Sequence, residues 1–585
     1  VTDILKDSLG YQGLIFTDAL NMKGASNYDA PGEIDLAAFN AGNDILLMSE
    51  NVPKAIAKIE EAYNKGEITE KRLSRSVKKI LFAKFKAGLN NYEPIELQNL
   101  YEDLNKPEDE VVYRKAMASA LTVLKNDQAI LPVKNIEDKK IAYVELGDDS
   151  GAPFYHALKK YAEITKIEAA SASEYSTKLE AFNYVIIGFH RSNDNPWKSY
   201  KFTAREIEII ERIAAAKPTV LDVFVRPYAL FDLEQTTNLE GIVMSYQNSA
   251  IAQGLSAQLI FGAIEAKGKL PVSVGEDFKI NTSYEIGTLR RLKYGIPEEE
   301  GMDSEELKGI DDLMKEGLTD VMFPGGQVLV ARHGKVIYEK AFGYHTYTKK
   351  QPVQLDDVYD LASMTKILAT LPMLMKRYDE GKFKLDDRLG TLLPVLQGSN
   401  KQNITVKEVL SHYGRLKPWI PFYTATFDDS GKLSKKYYRT RPEENFSLKV
   451  AEDLYLRNDY PDSIVKIIAD SDLLSRRVYK YSDLSYFLFK EYLENTGGKD
   501  LDHLTQENYY QSLGAHTMGY KPLSRFAKSK IVPSENDTYW RMQQVHGYVH
   551  DMGAAMEDNI GGHAGLFSNA NDVAKMMQMY LQNGY

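Results

Sequence analysis

Residues 363–375 read SMTKILATLPMLM, and this stretch decides the fold expected for the C-terminal half of the chain. It places the hydroxyl of Ser363 and the amine of Lys366 three residues apart, at the start of an apolar run. On a helix that spacing is one turn, so both side chains project from the same face. A serine becomes nucleophilic when a neighbouring base takes its proton, and a lysine held neutral can do so. The stretch therefore predicts a buried helix that starts with a nucleophile and a base for acyl transfer.

The chain contains three Ser-x-x-Lys pairs, at residues 76–79, 363–366 and 463–466. Roughly two or three are expected by chance, so context must choose between them. Ser76 is predicted to lie on the solvated side of a helix over residues 71–89. Ser463 follows Tyr460-Pro461-Asp462, where capping a helix start is the simpler interpretation. Ser363 alone precedes an apolar helix, and a buried lysine such as Lys366 usually serves catalysis.

A second segment supports this choice. Tyr481-Ser482-Asp483 precedes an apolar helix predicted over residues 484–492, and a phenol beside a Ser–Lys pair can relay a proton to the leaving group. Residues 327–332 and 336–341 flank His333-Gly334-Lys335, which predicts a β-hairpin. An antiparallel sheet beside long helices is an α+β domain.

With these motifs, residues 296–585 resemble the serine β-lactamases of class C and the related penicillin-binding proteins and esterases. The likeness also includes Val409-Leu410-Ser411-His412, which is similar to the segment that follows the nucleophile helix in that family. The resemblance implies that Ser363 is the acyl nucleophile, with Lys366 as general base and Tyr481 as its acid/base partner.

Two positions depart from that family or match it only weakly. Asp483 stands where the second motif usually has asparagine, and a carboxylate cannot donate the amide's hydrogen bond unless it is protonated. Asp483 is therefore a candidate substrate-binding residue that disfavours penicillin-type amide recognition and leaves ester or peptide hydrolysis open. His563-Ala564-Gly565 fits the third motif, which makes His563 a second candidate for substrate binding. No strand is expected after it, however, and we expect the true third motif past Tyr585.

The first 95 residues alternate short strands, at residues 14–17 and 44–48, with helices at residues 33–40, 52–64 and 71–89. This pattern predicts part of a parallel α/β unit. Asp18 follows the first strand, at the end where β/α barrels carry their chemistry. The simpler reading of such a residue is a helix cap or a loop aspartate.

The segment GYQGLIFTDALNM at residues 10–22 is similar to the nucleophile segment of family 3 glycoside hydrolases, and residues 38–48 continue the likeness. The run Asn21-Met22-Lys23-Gly24-Ala25 most resembles the bacterial β-N-acetylglucosaminidases of that family. The resemblance implies that Asp18 is a glycosidase nucleophile that forms a covalent glycosyl intermediate. The acid/base histidine and the sugar-binding Lys-His segment would lie before Val1, so the chain is not expected to hydrolyse glycosides as it stands.

Residues 115–290 carry strand patterns at 141–146, 184–188, 220–225 and 242–246, with helices at 204–215 and 250–266. They predict a doubly wound α/β domain. No G-x-G-x-x-G follows the first strand, so a dinucleotide site is not indicated. By resemblance this is the sandwich domain of family 3 glycoside hydrolases, which typically closes on Gly268-Lys269-Leu270-Pro271-Val272.

The predicted fold is thus multidomain. The end of a (β/α)8 barrel (1–100) and an α/β sandwich (101–290) precede an α+β serine β-lactamase-like domain (296–585) that is incomplete at its C-terminus. The chain begins with Val1 inside a predicted helix and stops just after another one. We therefore expect a piece of a longer protein, cut at both ends.

Composition narrows the partners of the chain. Its net charge of −10 and pI of about 5.7, with no basic run, disfavour nucleic acid. No apolar run approaches the ~18 residues that span a membrane, and no signal peptide is visible. The absence of cysteine removes disulfides and thiolate chemistry. The i, i+4 pair His546 and His550 lacks the glutamate of a zinc motif, so neither a metal nor a cofactor is predicted.

The predicted function is a retaining β-N-acetylglucosaminidase fused to a Ser/Lys/Tyr acyl hydrolase. A glycan or muropeptide would be its substrate and the bacterial envelope its location, because peptidoglycan offers both kinds of bond. Two alternatives stay open: a serine esterase or peptidase with a non-catalytic scaffold, and a binding protein that senses β-lactams or the cell wall. The sequence does not indicate an oligomeric state.

Overall fold

The structure is a computed structural model that describes residues 1–192, 195, 197–233 and 238–584. The chain divides into two compact units, residues 1–104 and residues 105–585. The second unit holds both the predicted sandwich and the C-terminal α+β part.

The first unit contains a short parallel pair of strands with helices around it. Its elements are β1 (Phe16–Ala19), α1 (Lys23–Ser26), α2 (Glu33–Asn40), β2 (Ile45–Leu47), α3 (Val52–Asn64), α4 (Glu70–Lys86) and α5 (Leu100–Leu104). The predicted bounds of α2 and α3 are those observed. The helix predicted over residues 71–89 ends at Lys86, because Gly88 adopts a left-handed conformation with φ 77°.

The prediction that Ser76 is solvated is wrong. Ser76 is 2% exposed, and its hydroxyl donates to Asp44 Oδ1 just before β2. Lys79 Nζ lies 3.2 Å from Asp44 Oδ2. Burial alone would raise the pKa of Asp44, but the hydrogen bonds from Ser76 and Lys79 outweigh it and lower that pKa. The pair at 76–79 therefore anchors α4 to β2 through one buried carboxylate.

The sandwich is a six-stranded sheet with helices on both faces. Its elements are α6 (Pro107–Ala120), β3 (Thr122–Asn126), β4 (Ile141–Gly147), α7 (Ala152–Lys159), β5 (Ile164–Lys166), α8 (Ala172–Lys178), β6 (Tyr184–His190), α9 (Ala204–Ala216), β7 (Thr219–Phe224), β8 (Gly241–Met244) and α10 (Ala250–Ile260). The strand order is β3-β8-β7-β6-β4-β5, parallel except for the edge strand β3. Every residue of β6 and β7 is buried, as expected of a sheet covered on both faces.

This confirms the doubly wound α/β fold, with two strands that the sequence pattern missed. β3 is partly polar and β5 has only three residues, so neither produces a strong periodic signal. The helix predicted over residues 250–266 ends at Ile260, two residues before Gly262 turns with φ 69°.

The C-terminal part joins small, mostly antiparallel sheets to a helical lobe. Its elements are β9 (Lys293–Tyr294), α11 (Ser304–Thr319), β10 (Gly325–Arg332), β11 (Lys335–Gly343), β12 (Tyr359–Asp360), α12 (Leu371–Asp379), α13 (Leu389–Leu392), α14 (Val406–Leu410), β13 (Tyr438–Arg439), β14 (Leu448–Ala451), β15 (Leu454–Leu456), α15 (Tyr460–Asp470), α16 (Leu484–Gly497), α17 (Leu501–Thr505), β16 (Glu535–Asn536), β17 (Gln544–Val545), α18 (Met552–Met556), β18 (Phe567–Ser568) and α19 (Ala570–Leu581).

The predicted hairpin is present as β10 and β11. His333 (φ 49°) and Gly334 (φ 78°) form its turn, since both occupy the positive-φ region that tight hairpins require. β9 pairs in parallel with β11, and its Tyr294 hydroxyl donates to Asn571 Oδ1 at 2.5 Å. The segment that leads out of the sandwich is thus a strand of the next sheet.

Two expectations about this part are wrong. Ser463 was expected to cap a helix start, but α15 begins at Tyr460 after its N-cap Asp459, and the Ser463 hydroxyl donates back to the Asp459 carbonyl at 3.4 Å.

The second concerns the segment after His563. No strand was expected after His563, but Phe567 and Ser568 form β18, which pairs antiparallel with β12. Sheets of two residues per strand leave no alternating pattern to detect. This pairing brings the His563 segment next to the segment that leads into Ser363.

Candidate functional site

Ser363 and Lys366 sit on the turn that follows β12. A 3₁₀ turn over Ala362–Met364 is continued by a π-helical stretch, Lys366–Thr370, and then by α12. Asp360 Oδ1 accepts the backbone N–H of Ala362 at 2.9 Å, which fixes the entry to the turn. Lys366 Nζ lies 2.9 Å from Ser363 Oγ, with Ser363 exposed and the Lys366 side chain only 4% exposed. The predicted pairing of hydroxyl and amine is therefore present in the geometry.

Lys366 has three hydrogen-bond acceptors. Besides Ser363 Oγ, its Nζ lies 2.7 Å from Asp483 Oδ1 and 3.3 Å from the carbonyl oxygen of His563. The Tyr481 and Tyr486 rings cover it at 4.9 and 5.5 Å from their centroids. Three acceptors match the three N–H bonds of an ammonium group.

Tyr481 lies where its ring covers Lys366. Within the described residues, the Tyr481 hydroxyl makes no hydrogen bond to Ser363 or Lys366, so the direct contact is between the amine and the ring face. The backbone of residues 480–482 is hydrogen-bonded to His412. The His412 carbonyl accepts from Lys480 N at 2.9 Å, and His412 Nδ1 accepts from Ser482 N at 3.3 Å. Burial and then the charge of Lys366 lower the pKa of His412. His412 therefore acts as a neutral ring with Nδ1 as the acceptor.

Asp483 is positioned by the same loop. Its backbone N–H donates to the carbonyl of Pro418 at 2.9 Å, just before α16 begins at Leu484. Its side chain is partly exposed and pairs with Lys366. The residue that replaces the expected asparagine thus supplies a countercharge rather than an amide.

His563 is buried, with 2% of its surface exposed. Its Nε2 lies 2.7 Å from Asp551 Oδ1, and its ring stacks on Phe487 at 4.1 Å between centroids. Burial alone would lower the pKa of His563, but the Asp551 carboxylate outweighs it and raises that pKa, while the pKa of Asp551 falls below its usual range. His563 thus reaches the site through its backbone carbonyl, which accepts from Lys366.

Sequence reasoning missed Asp551 as part of this arrangement. Asp551 caps α18 by accepting from Ala554 N at 2.8 Å and holds the His563 ring with the same oxygen. In the sequence, the segment that contains Asp551 stands out only for the i, i+4 pair His546 and His550. His546 instead contacts the carbonyls of Lys528 and Ile531. In the part of the chain that the structure describes, no group of three or more acidic or histidine side chains could hold a metal.

Two cavities flank the nucleophile turn. A small one of ≈ 30 Å³ is lined by Asp483, Asp551, His563 and aromatic residues that include Trp419. A larger one of ≈ 650 Å³ lies between β10, Met364 and α19. Its walls are mostly apolar side chains.

Asp18 lies in the first unit, at the third position of β1, and is exposed. Its Oδ1 accepts the backbone N–H of Ala19 at 2.7 Å. The carboxylate is therefore accessible near the carboxyl end of a parallel strand, although Asp18 lies within β1 rather than after it, because the strand begins two residues later than predicted.

None of the described helices is both long and apolar enough to cross a membrane.

Comparison with protein families divides the chain into three matched regions. Residues 1–83 match the glycosyl hydrolase family 3 N-terminal domain and residues 121–308 its C-terminal domain. Residues 310–584 match the beta-lactamase family.

Curated relatives match about half of the chain. An N-acetylmuramyl-L-alanine amidase of Bacillus subtilis is 27% identical over 48% of this chain and 64% of its own length. A putative D-alanyl-D-alanine carboxypeptidase of Escherichia coli is 29% identical over 50% of this chain and 68% of its own length. The match thus spans about two thirds of each relative.

Solved structures are more distant. A family 3 β-N-acetylglucosaminidase from Paenibacillus sp. is 18% identical with a TM-score of 0.36, over 46% of this chain and 52% of its own. An octameric penicillin-binding protein homologue from Pyrococcus abyssi has the same identity and TM-score, over 48% of this chain and 57% of its own.

Proposed function

The chain joins the two domains of family 3 glycosyl hydrolases to a serine hydrolase domain of the beta-lactamase family, and we propose that the latter cleaves amide or ester bonds in cell-wall glycopeptides. One observation carries this proposal: Lys366 Nζ lies 2.9 Å from Ser363 Oγ on one turn. A hydroxyl at the surface with a buried amine beneath it is the arrangement that nucleophilic acyl transfer needs.

The reaction begins with a proton shift. Lys366 passes a proton across its 2.7 Å contact to Asp483, which leaves a neutral amine beside Ser363. Ser363 Oγ then bonds to the substrate carbonyl carbon while its proton moves to Lys366. When the tetrahedral intermediate collapses, the bond to the leaving nitrogen or oxygen breaks, and that atom takes a proton from Lys366 or Tyr481. Water then attacks the acyl-enzyme carbonyl carbon and gives one proton to Lys366. When this second intermediate collapses, the bond from the carbonyl carbon to Ser363 Oγ breaks, Oγ takes that proton from Lys366, and the free acid leaves.

Cell-wall material is the substrate class that the relatives support. One relative is named for the N-acetylmuramyl–L-alanine amide and another for a D-alanyl-D-alanine peptide. The first half of the chain belongs to a glycosidase family, so both halves suit a polymer of sugars and peptides. We place the protein in the bacterial envelope on the same grounds.

For the first half we propose that Asp18 is the nucleophile of a retaining β-N-acetylglucosaminidase. Its exposed carboxylate at the end of β1 supports this role. The protein to test is one that contains the complete family 3 barrel: there an activated 5-fluoro-N-acetylglucosaminyl reagent should trap the covalent ester, and peptide mass spectrometry should find the adduct on Asp18. A modified Asp29, an exposed neighbour, would contradict the assignment.

A second function is favoured by the ion pair of Lys366. Because the lysine has three acceptors, acylation can be slow enough for the domain to sense a β-lactam or a wall fragment rather than turn it over. A stable adduct on Ser363 without product release would support sensing.

The test of the hydrolase is turnover of a muramyl-peptide amide and of an ester by the full chain. Lys366→Met should reduce the rate by about 10²–10⁴-fold, the usual contribution of a general base. Lys466→Met alters the exposed lysine of another Ser-x-x-Lys pair and should leave the rate unchanged. Equal rates in both variants would refute the role of Lys366.

A further inference from the structure

Four rings form an exposed surface beside the nucleophile, which we call the aromatic ledge: His412, Tyr413, Tyr479 and Tyr481. The His412 ring lies 4.7 Å from Tyr481 and 5.9 Å from Tyr479, and Tyr413 lies 6.1 Å from Tyr479. The three tyrosines are 44%, 59% and 41% exposed. Large side chains so exposed and so close together usually mark a binding surface.

The ledge is continuous with the catalytic pair. The Tyr481 ring lies 4.9 Å from Lys366 Nζ, and that atom lies 2.9 Å from Ser363 Oγ. A substrate whose carbonyl carbon meets Ser363 can therefore extend over Tyr481 towards Tyr479 and Tyr413.

The ledge is also rigid. The segments around His412 and Tyr481 are joined by hydrogen bonds. Lys480 N donates to His412 O at 2.9 Å, and Ser482 N donates to His412 Nδ1 at 3.3 Å. Nearby, Leu474 N donates to Arg415 O at 2.8 Å. Rings that are ordered in advance bind at little cost in conformational entropy.

The chemistry of the ledge suits a sugar. A pyranose offers an apolar face of C–H groups and a rim of hydroxyls, while tyrosine offers an apolar ring and a hydroxyl at its edge. Because Nδ1 of His412 accepts from Ser482 N, the proton of the neutral ring is on Nε2, where it can donate to a sugar oxygen. An alkyl chain would instead need an enclosed apolar groove, and this surface is open.

We infer that the aromatic ledge binds the saccharide ring of a glycopeptide whose acyl group is presented to Ser363. This inference rests on the proposed function, because it assigns the non-peptide part of that substrate. Binding of the sugar contributes affinity that a bare peptide lacks.

The experiment measures binding in the full chain with Ser363→Ala, so that catalysis plays no part. N-acetylmuramyl-L-alanyl-D-isoglutamine is compared by calorimetry with the dipeptide L-alanyl-D-isoglutamine. The muramyl compound should bind about fivefold tighter or more, as expected when aromatic anchors contribute on the order of 1 kcal/mol. Tyr413→Ala and Tyr479→Ala should each reduce this ratio towards one, while Tyr479→Phe, which keeps the ring, should largely retain it.

Tyr347→Ala is the matched control, because Tyr347 is 56% exposed and lies outside the ledge. It should not change the ratio. Equal binding of the two compounds, or an equal loss in the Tyr347 variant, would overturn the inference. A failure of the proposed function would look different: a fluorophosphonate would then not label Ser363 of the wild type, whatever the binding ratio.

Discussion

Lys366 and Asp483 form an ion pair with 2.7 Å between Nζ and Oδ1, directly beneath the Ser363 hydroxyl. In the proposed mechanism, the Asp483 carboxylate is the group to which Lys366 passes a proton before Lys366 activates Ser363. The pair also places a carboxylate where the sequence resemblance led us to expect a neutral amide.

The first prediction concerns this countercharge. In the proposed mechanism Asp483 accepts the proton of Lys366 across their 2.7 Å contact, and Asp483→Asn removes this acceptor while keeping the shape of the side chain. Labelling of Ser363 by a fluorophosphonate should therefore become slower by about tenfold or more, because the general base no longer forms in this way. Quenched labelling reactions followed by gel fluorescence measure the rate. Asp429→Asn, at an exposed site, is the control, and unchanged or faster labelling in Asp483→Asn would contradict the expectation.

The second prediction concerns the nucleophile. Ser363→Ala should abolish labelling by a fluorophosphonate probe, because no other serine in the described residues has a buried lysine and an exposed hydroxyl together. Ser463→Ala should label normally. Ser76→Ala should also label, but with a lower melting temperature, since its hydroxyl bonds the buried Asp44. Labelling that persists in Ser363→Ala would refute the assignment.

The third prediction tests the pair formed by His563 and Asp551. Asparagine caps a helix as well as aspartate does, so Asp551→Asn removes the charge and keeps the cap of α18. The folded pKa of His563 is raised and that of Asp551 is lowered. The stabilisation is therefore complete between about pH 4 and 6.5, and it is lost as pH falls below or rises above that window.

Thermal melting should therefore show the largest difference between wild type and Asp551→Asn near pH 5.5 and a smaller one at pH 9. Asp429→Asn should show none. A difference that does not change with pH would mean that the contact contributes packing rather than charge.

The fourth prediction concerns the core of the sandwich. Burial raises the pKa of Asp222 to about 7, although the Ser256 and Ser245 hydroxyls donate to it. The native state then binds more protons than the unfolded chain between about pH 4 and 7. Stability therefore falls as pH rises through that window, by on the order of 4 kcal/mol for this group.

Asp222→Asn carries no charge at any pH and should flatten this dependence. The melting temperature of the variant relative to wild type should rise from pH 5 to pH 8. If the two curves stay parallel, the carboxyl group does not titrate in this range.

Local patterns predicted much of this molecule. The Ser363–Lys366 pair depends on one turn of chain, and the strands β4, β6, β7 and β8 depend on short apolar runs, so their residues alone indicate them. Helix ends were less predictable, because they depend on single glycines such as Gly88 and Gly262 in left-handed conformations.

Long-range contacts could not be predicted in the same way. Ser76 looked solvated because its partner Asp44 lies 32 residues away, and Lys366 meets the His563 carbonyl across 197 residues. The strand β18 consists of two residues and exists only because β12 lies beside it. Such features follow from the assembled fold rather than from any one segment.

The strand β9 has a practical consequence for anyone who separates the parts of this chain. It leaves the sandwich, where Tyr161 donates to the carbonyl of Leu292 at 2.8 Å, and then completes the edge of β11. A protein cut at residue 296 would expose that edge of β11, and bare strand edges invite aggregation. Recombinant versions of the serine hydrolase should therefore begin near residue 105, so that the sandwich holds β9 in place and the edge of β11 stays paired.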